Sequence, residues 1–182
     1  LNESVVDGVD ASETDAYEAA RQHLIATRGQ VALPFELLLR VPQLCTRVAD
    51  LGEVIRFRGL LPDRLRETAI LATAREVRCR YEFDSHLPIA RSAGVAEATI
   101  ALASGADADA PVDESLVVSF VHELLQRREV GEATLVGLGA VLSEPELVEL
   151  CVTVGYYALL AGVVNVFAVD QAENMDQEGA GQ

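Results

Sequence analysis

Four side chains capable of proton transfer or nucleophilic attack fall at helical spacing in the stretch Arg75-Glu76-Val77-Arg78-Cys79-Arg80-Tyr81-Glu82-Phe83-Asp84-Ser85-His86. Glu76, Cys79 and Glu82 follow one another by three residues, and His86 follows Glu82 by four. On a continuous helix this spacing puts all four within about 120° of one face. Two carboxylates, a thiol and an imidazole would then converge. His86 exchanges a proton near neutral pH. Glu82 can orient and charge-stabilise the imidazole, or act as the base itself when an apolar site raises its pKa. Cys79 is a nucleophile only as a thiolate, a form that an imidazolium or the nearby Arg78 and Arg80 would favour. Glu76 can relay protons or hold the cluster in place. The same spacing has a plainer reading: Glu82 and His86 as an i,i+4 pair on a solvated face, worth a few tenths of a kcal/mol. Spacing alone leaves both open. His23, after Arg21 on an amphipathic face, and His122, beside Phe120 and Leu124, read as structural. No His/Cys pair has zinc-ligand spacing, so no metal is expected.

Helices have to carry these residues. The chain has 182 residues, the size of one ordinary domain. Half of it is apolar and only 5% aromatic, and Ala, Leu, Val, Glu and Arg dominate, a mixture that favours helix. No alternating strand pattern and no internal repeat is evident. The periodicity predicts helices over 12–27, 42–58, 62–93, 96–103, 113–128, 132–142 and 143–169, with a kink or break in the third at Pro88 or near Cys79. Seven or eight helices make an all-α bundle. Leu33-Pro34-Phe35 reads as a loop and 105–111 as a linker. Ser12 with Asp15, Asp113, and Ser143 with Glu146 read as helix caps. Residues 1–11 and 170–182 read as acidic tails, mobile and disordered respectively.

Charge and cysteine usage narrow the partners. Fourteen basic against 29 acidic residues give a net charge of −15. So acidic a chain repels phosphate backbones and anionic lipid, so neither nucleic acid nor membrane surface is an expected partner. Three scattered cysteines, Cys45, Cys79 and Cys151, are no disulfide framework and suit a reducing, cytoplasmic compartment. The first fifteen residues, LNESVVDGVDASETD, lack the basic and apolar parts of a signal peptide. Cys151 to Val169 carries no charge and is of membrane-spanning length. Its acidic flanks, with no Lys or Arg anchor, and its capping box favour instead a helix buried in a bundle and an oligomer interface.

The stretch from Leu61 to His86, continued by Pro88-Ile-Ala-Arg-Ser-Ala-Gly94, resembles the core helices of the carboxymuconolactone decarboxylase and alkyl hydroperoxidase D superfamily. Gly155-Tyr-Tyr-Ala-Leu-Leu-Ala-Gly-Val-Val-Asn-Val-Phe167 resembles its last core helix. The peroxidase branch carries Glu-x-x-Cys-x-x-Cys-x-x-x-His. On this chain Glu76, Cys79 and His86 take the Glu, first Cys and His positions, and Glu82 replaces the second Cys. The disulfide cycle of a two-cysteine peroxidase is therefore closed to it. The decarboxylase branch pairs Glu-x-x-x-His, which Glu82 and His86 fit better. The resemblance implies an all-α fold, no metal or organic cofactor, and trimers or hexamers.

Three functions follow as expectations. The first is a cofactor-independent lyase on a small carbonyl or lactone acid, with His86 as general acid/base, Glu82 as its partner and Arg78 or Arg80 on the substrate carboxylate. The second is a one-Cys, peroxidase-like antioxidant enzyme that uses Cys79 and an external thiol. The third is a non-catalytic oligomeric binding module.

Overall fold

The computed structural model describes residues 11–167, with side chains from Thr14 onward. The expected tails at 1–11 and 170–182 lie outside the described residues, save that Ala11 opens the first helix. The expected capping side chain of Ser12 lies outside them too. Among the described residues there are nine α-helices, two π-helical turns and no strand. The chain divides into two compact units at Arg58/Gly59.

The first unit holds α1 (Ala11–Arg28), α2 (Leu33–Leu38), α3 (Pro42–Glu53) and a π turn (Val54–Arg58). α1 packs on α3, with Leu24, Cys45 and Ala49 sealed inside. His23 Nε2 meets Asp50 Oδ1 at 2.8 Å, so this histidine does bridge helices structurally. α2 stands where the sequence predicts a loop. Pro34 sits in its first turn, where a missing N–H costs nothing, and Phe35 and Leu38 are buried anchors. Six residues are too few for periodicity to reveal.

Burial raises the Cys45 thiol from the usual 9.0 to about 11. The folded thiol therefore keeps its proton where the unfolded chain loses it. That contribution is fully present below pH 9 and disappears as pH rises towards 11, a loss of roughly 3 kcal/mol. Urea unfolding followed across that range is expected to show the decline, and Cys45→Ala to lessen it, the raised Cys79 and Cys151 thiols leaving a remainder.

The second unit is built around α4 (Asp63–Glu76), whose residues Leu65 to Ala74 are all buried. It packs against α5 (Arg80–Ser92), α6 (Glu97–Ala103), α7 (Val112–His122) and α9 (Glu144–Phe167). A π turn (Glu123–Arg127) extends α7, and α8 (Glu132–Gly139) follows. Leu65, Leu71, Phe120, Leu138, Leu150 and Val154 belong to one continuous core.

The helix predicted from 62 to 93 breaks ahead of Cys79, whereas Pro88 lies inside α5. The break is a Schellman motif. The Cys79 amide donates to the Ala74 carbonyl at 2.8 Å and the Arg78 amide to Arg75 at 3.1 Å. Arg78 takes the left-handed position, φ 55°, that glycine usually fills. Gly94 and Gly105, both at positive φ, close α5 and α6 in the same way.

Two caps differ in outcome. Ser143 and Glu146 form the expected pair: the Glu146 carboxylate accepts the Ser143 amide at 2.7 Å and its hydroxyl at 2.6 Å. Those bonds hold its pKa below the usual value. Asp113 does not cap α7, because Pro111 occupies the N-cap position. Asp113 instead accepts from Arg64, beside the buried Glu114. Glu114 takes Arg64 Nη1, the Thr99 hydroxyl and the Ala96 amide, tying α4, α6 and α7 together.

α9 is long and apolar enough to cross a membrane, with a mean hydropathy of 1.9. Leu150, Val154, Tyr157, Leu160, Ala161 and Val164 are nevertheless buried within the fold. Another row, Val148, Val152, Leu159 and Val166, is exposed.

Candidate active site

The break before Cys79 lets α5 turn back along α4, and that turn builds the site. His86, on the second turn of α5, is 6% exposed. Its Nδ1 lies 2.8 Å from Oε2 of Glu67, a carboxylate 1% exposed on α4. A carboxylate only accepts, so Nδ1 carries the hydrogen and Nε2 is left for chemistry. Glu82 Oε2 stands 3.8 Å from that Nε2, too far for a direct hydrogen bond and close enough for one bridging atom. Tyr157 of α9 packs against the imidazole edge-on, ring centroids 5.0 Å apart. The result is an imidazole between two buried carboxylates.

Of the four residues picked from the sequence, Glu82 and His86 come together as expected. Glu76 does not join them. The Schellman break turns it away, and its carboxylate accepts from Gln126 Nε2 at 2.7 Å and meets His122 Nδ1 at 3.0 Å. Its observed role is to fasten the end of α4 to α7 and the following π turn. Asn165 Nδ2 adds a second fastening by donating to the Val77 carbonyl at 2.9 Å. Cys79 sits at the N-cap of α5, 2% exposed. Burial raises its thiol pKa and the Glu82 charge adds to this; the Glu82 and Tyr81 amides lower it by less. Arg78 and Arg80 point outward, and Arg80 pairs with Asp84 at 3.2 Å.

Sequence reasoning missed Glu67, Arg66 and Tyr157. Glu67 had a readable signal. It lies one turn before Ile70 and Leu71, so an acid stands in an otherwise apolar row. Arg66 is 7% exposed, with Nη1 3.0 Å from Asp63 and Nε 3.8 Å from Glu67. Cavities of about 580 and 240 Å³ lie in the first unit, and no cluster residue lines either.

Among the described residues the architecture is all-α. It matches a crystal structure from Agrobacterium tumefaciens with a TM-score of 0.62 and 19% identity, over 72% of this chain and 92% of that one. That protein is of unknown function and has been suggested to be the antioxidant defence protein AhpD. Residues 42–115 match the carboxymuconolactone decarboxylase family. The two findings support the family that the motif suggests, and the matched region contains Glu67, Cys79, Glu82 and His86. No curated protein matches the sequence.

Proposed function

We propose that this chain is a cofactor-independent acid–base enzyme of decarboxylase type, acting on a small carbonyl or lactone acid. The observation that carries the reading is the buried imidazole held at Nδ1 by Glu67, with Glu82 beside Nε2. Loss of CO₂ from such an acid leaves the bonding electron pair on carbon as an enolate. His86 takes a proton from solvent at Nε2, delivers it to that carbon and returns to the neutral form with its hydrogen on Nδ1. Glu67 fixes the tautomer, and the two carboxylates offset the charge of the imidazolium between deliveries. Binding of this acid rather than nucleic acid or membrane, a cytoplasmic setting and a homo-oligomer, trimer or hexamer, belong to the same proposal. The exposed α9 row offers an uncharged face for the contact between copies.

The second reading is a one-Cys peroxidase. Its support is Cys79 within the matched region and the antioxidant role suggested for the Agrobacterium protein. Attack of the Cys79 thiolate on hydrogen peroxide would give a sulfenic acid and hydroxide, and two equivalents of an external thiol would restore the cysteine, leaving as their disulfide with release of water. The raised thiol pKa speaks against it, because too little thiolate forms at neutral pH. The third reading, a non-catalytic oligomeric module, leaves two acids and a histidine buried for no chemical end.

Hydrogen peroxide with a sulfenic-acid trap and mass spectrometry separates the first two readings. Cys79 is expected to label slowly, at a rate unchanged by His86→Asn, while Cys79→Ser keeps lyase turnover. Fast, Cys79-selective trapping that slows in His86→Asn would move the assignment to the peroxidase.

A further inference from the structure

A substrate acid needs a cation to hold it, and the two arginines that flank Cys79, Arg78 and Arg80, face solvent. Charges there are screened and act weakly on a buried ligand. Arg66 is placed differently. Its side chain is 91% buried, and Nη1 faces Asp63 at the surface. Nε faces Glu67 Oε1 at 3.8 Å, beyond hydrogen-bond reach, and this buried N–H has no hydrogen-bond partner. An orphaned buried donor is destabilising, a cost that a bound group can offset. The other oxygen of Glu67 holds His86, so the vacant donor lies one carboxylate away from the acid–base group.

We infer that Arg66 is the anion-binding residue of this site and takes a carboxylate of the bound acid on its Nε edge. The planar guanidinium edge matches a carboxylate. The inference rests on the acid–base reading for what the bound acid then undergoes, but not for the binding itself.

Malonate is a suitable probe and neutral malonamide its control. In protein labelled with ¹⁵N-arginine, the Arg66 Nε–H cross-peak is assigned by its loss in Arg66→Lys. Malonate is expected to move that peak downfield saturably, and malonamide to leave it in place. Arg66→Lys keeps the charge but loses the planar edge, and should bind malonate about 10-fold or more weakly, in line with a charged hydrogen bond. His86→Asn should bind it within about 3-fold of the parent, since His86 is not the anion's partner. An unmoved Arg66 peak, or equal affinity in Arg66→Lys, would overturn the inference. If the variant folds poorly, the Arg66 peak is assigned in wild-type protein by triple-resonance connectivity to its own backbone, and its response to malonate decides the matter. Malonate binding at Arg66 in a protein whose turnover survives His86→Asn would instead overturn the acid–base reading and leave the anion site standing.

Discussion

His86→Asn is expected to lower kcat by about 10²–10⁴-fold with little change in KM, the loss typical of removing a positioned general acid/base. The step that loses its proton donor is carbon protonation, and substrate binding in the ground state does not use that donor. Asparagine can still offer Glu67 an amide N–H, so the buried carboxylate keeps a partner and the fold should survive. Glu67→Gln should cost nearly as much by another route. An amide can donate to Nδ1 as well as accept from it, which releases the tautomer that now leaves Nε2 for the substrate. Cys79→Ser should retain most of the turnover. CO₂ release by the three variants, with circular dichroism as the folding control, checks this ordering.

Glu114→Ala is expected to produce the largest loss of stability outside the apolar core, about 3 kcal/mol. Removing one member of a buried charged pair typically costs about 3–5 kcal/mol, and the lower end applies because Arg64 is one-third exposed and keeps Asp113. The substitution would leave the Thr99 hydroxyl and the Ala96 amide without their acceptor, so α6 would lose its hold on α7. Glu114→Gln retains an acceptor and should cost less than half as much. Urea denaturation of the two variants measures the difference, and an alanine variant within about 0.5 kcal/mol of the parent would show that the network contributes no net stability.

Much of this arrangement could be read in the sequence. The helical composition and the capping pair Ser143 and Glu146 have local causes, and the structure contains both. The Glu82–His86 pair was legible because i,i+4 neighbours on one helix stay neighbours whatever surrounds them. Glu76 was misplaced because the α4 stop uses Arg78 in the left-handed position, with no glycine to announce it. One broken turn is enough to rotate a carboxylate from one cluster into another. Glu67 and Tyr157 reach His86 from other helices, at separations that no spacing rule covers. Arg66 escaped notice for a similar reason. A charged residue on a helix reads as solvated until the packing shows that α4 is surrounded on all sides.

The role of His86 is tested most directly by running turnover in D₂O on carboxylated lactones and β-keto acids, with proton NMR of the product. Wild-type protein and Cys79→Ser should each place one deuteron stereospecifically on the carbon that lost CO₂, at similar rates, and His86→Asn should fall to the uncatalysed background. Stereospecific incorporation by His86→Asn at the wild-type rate would contradict the assignment of His86 as the proton donor.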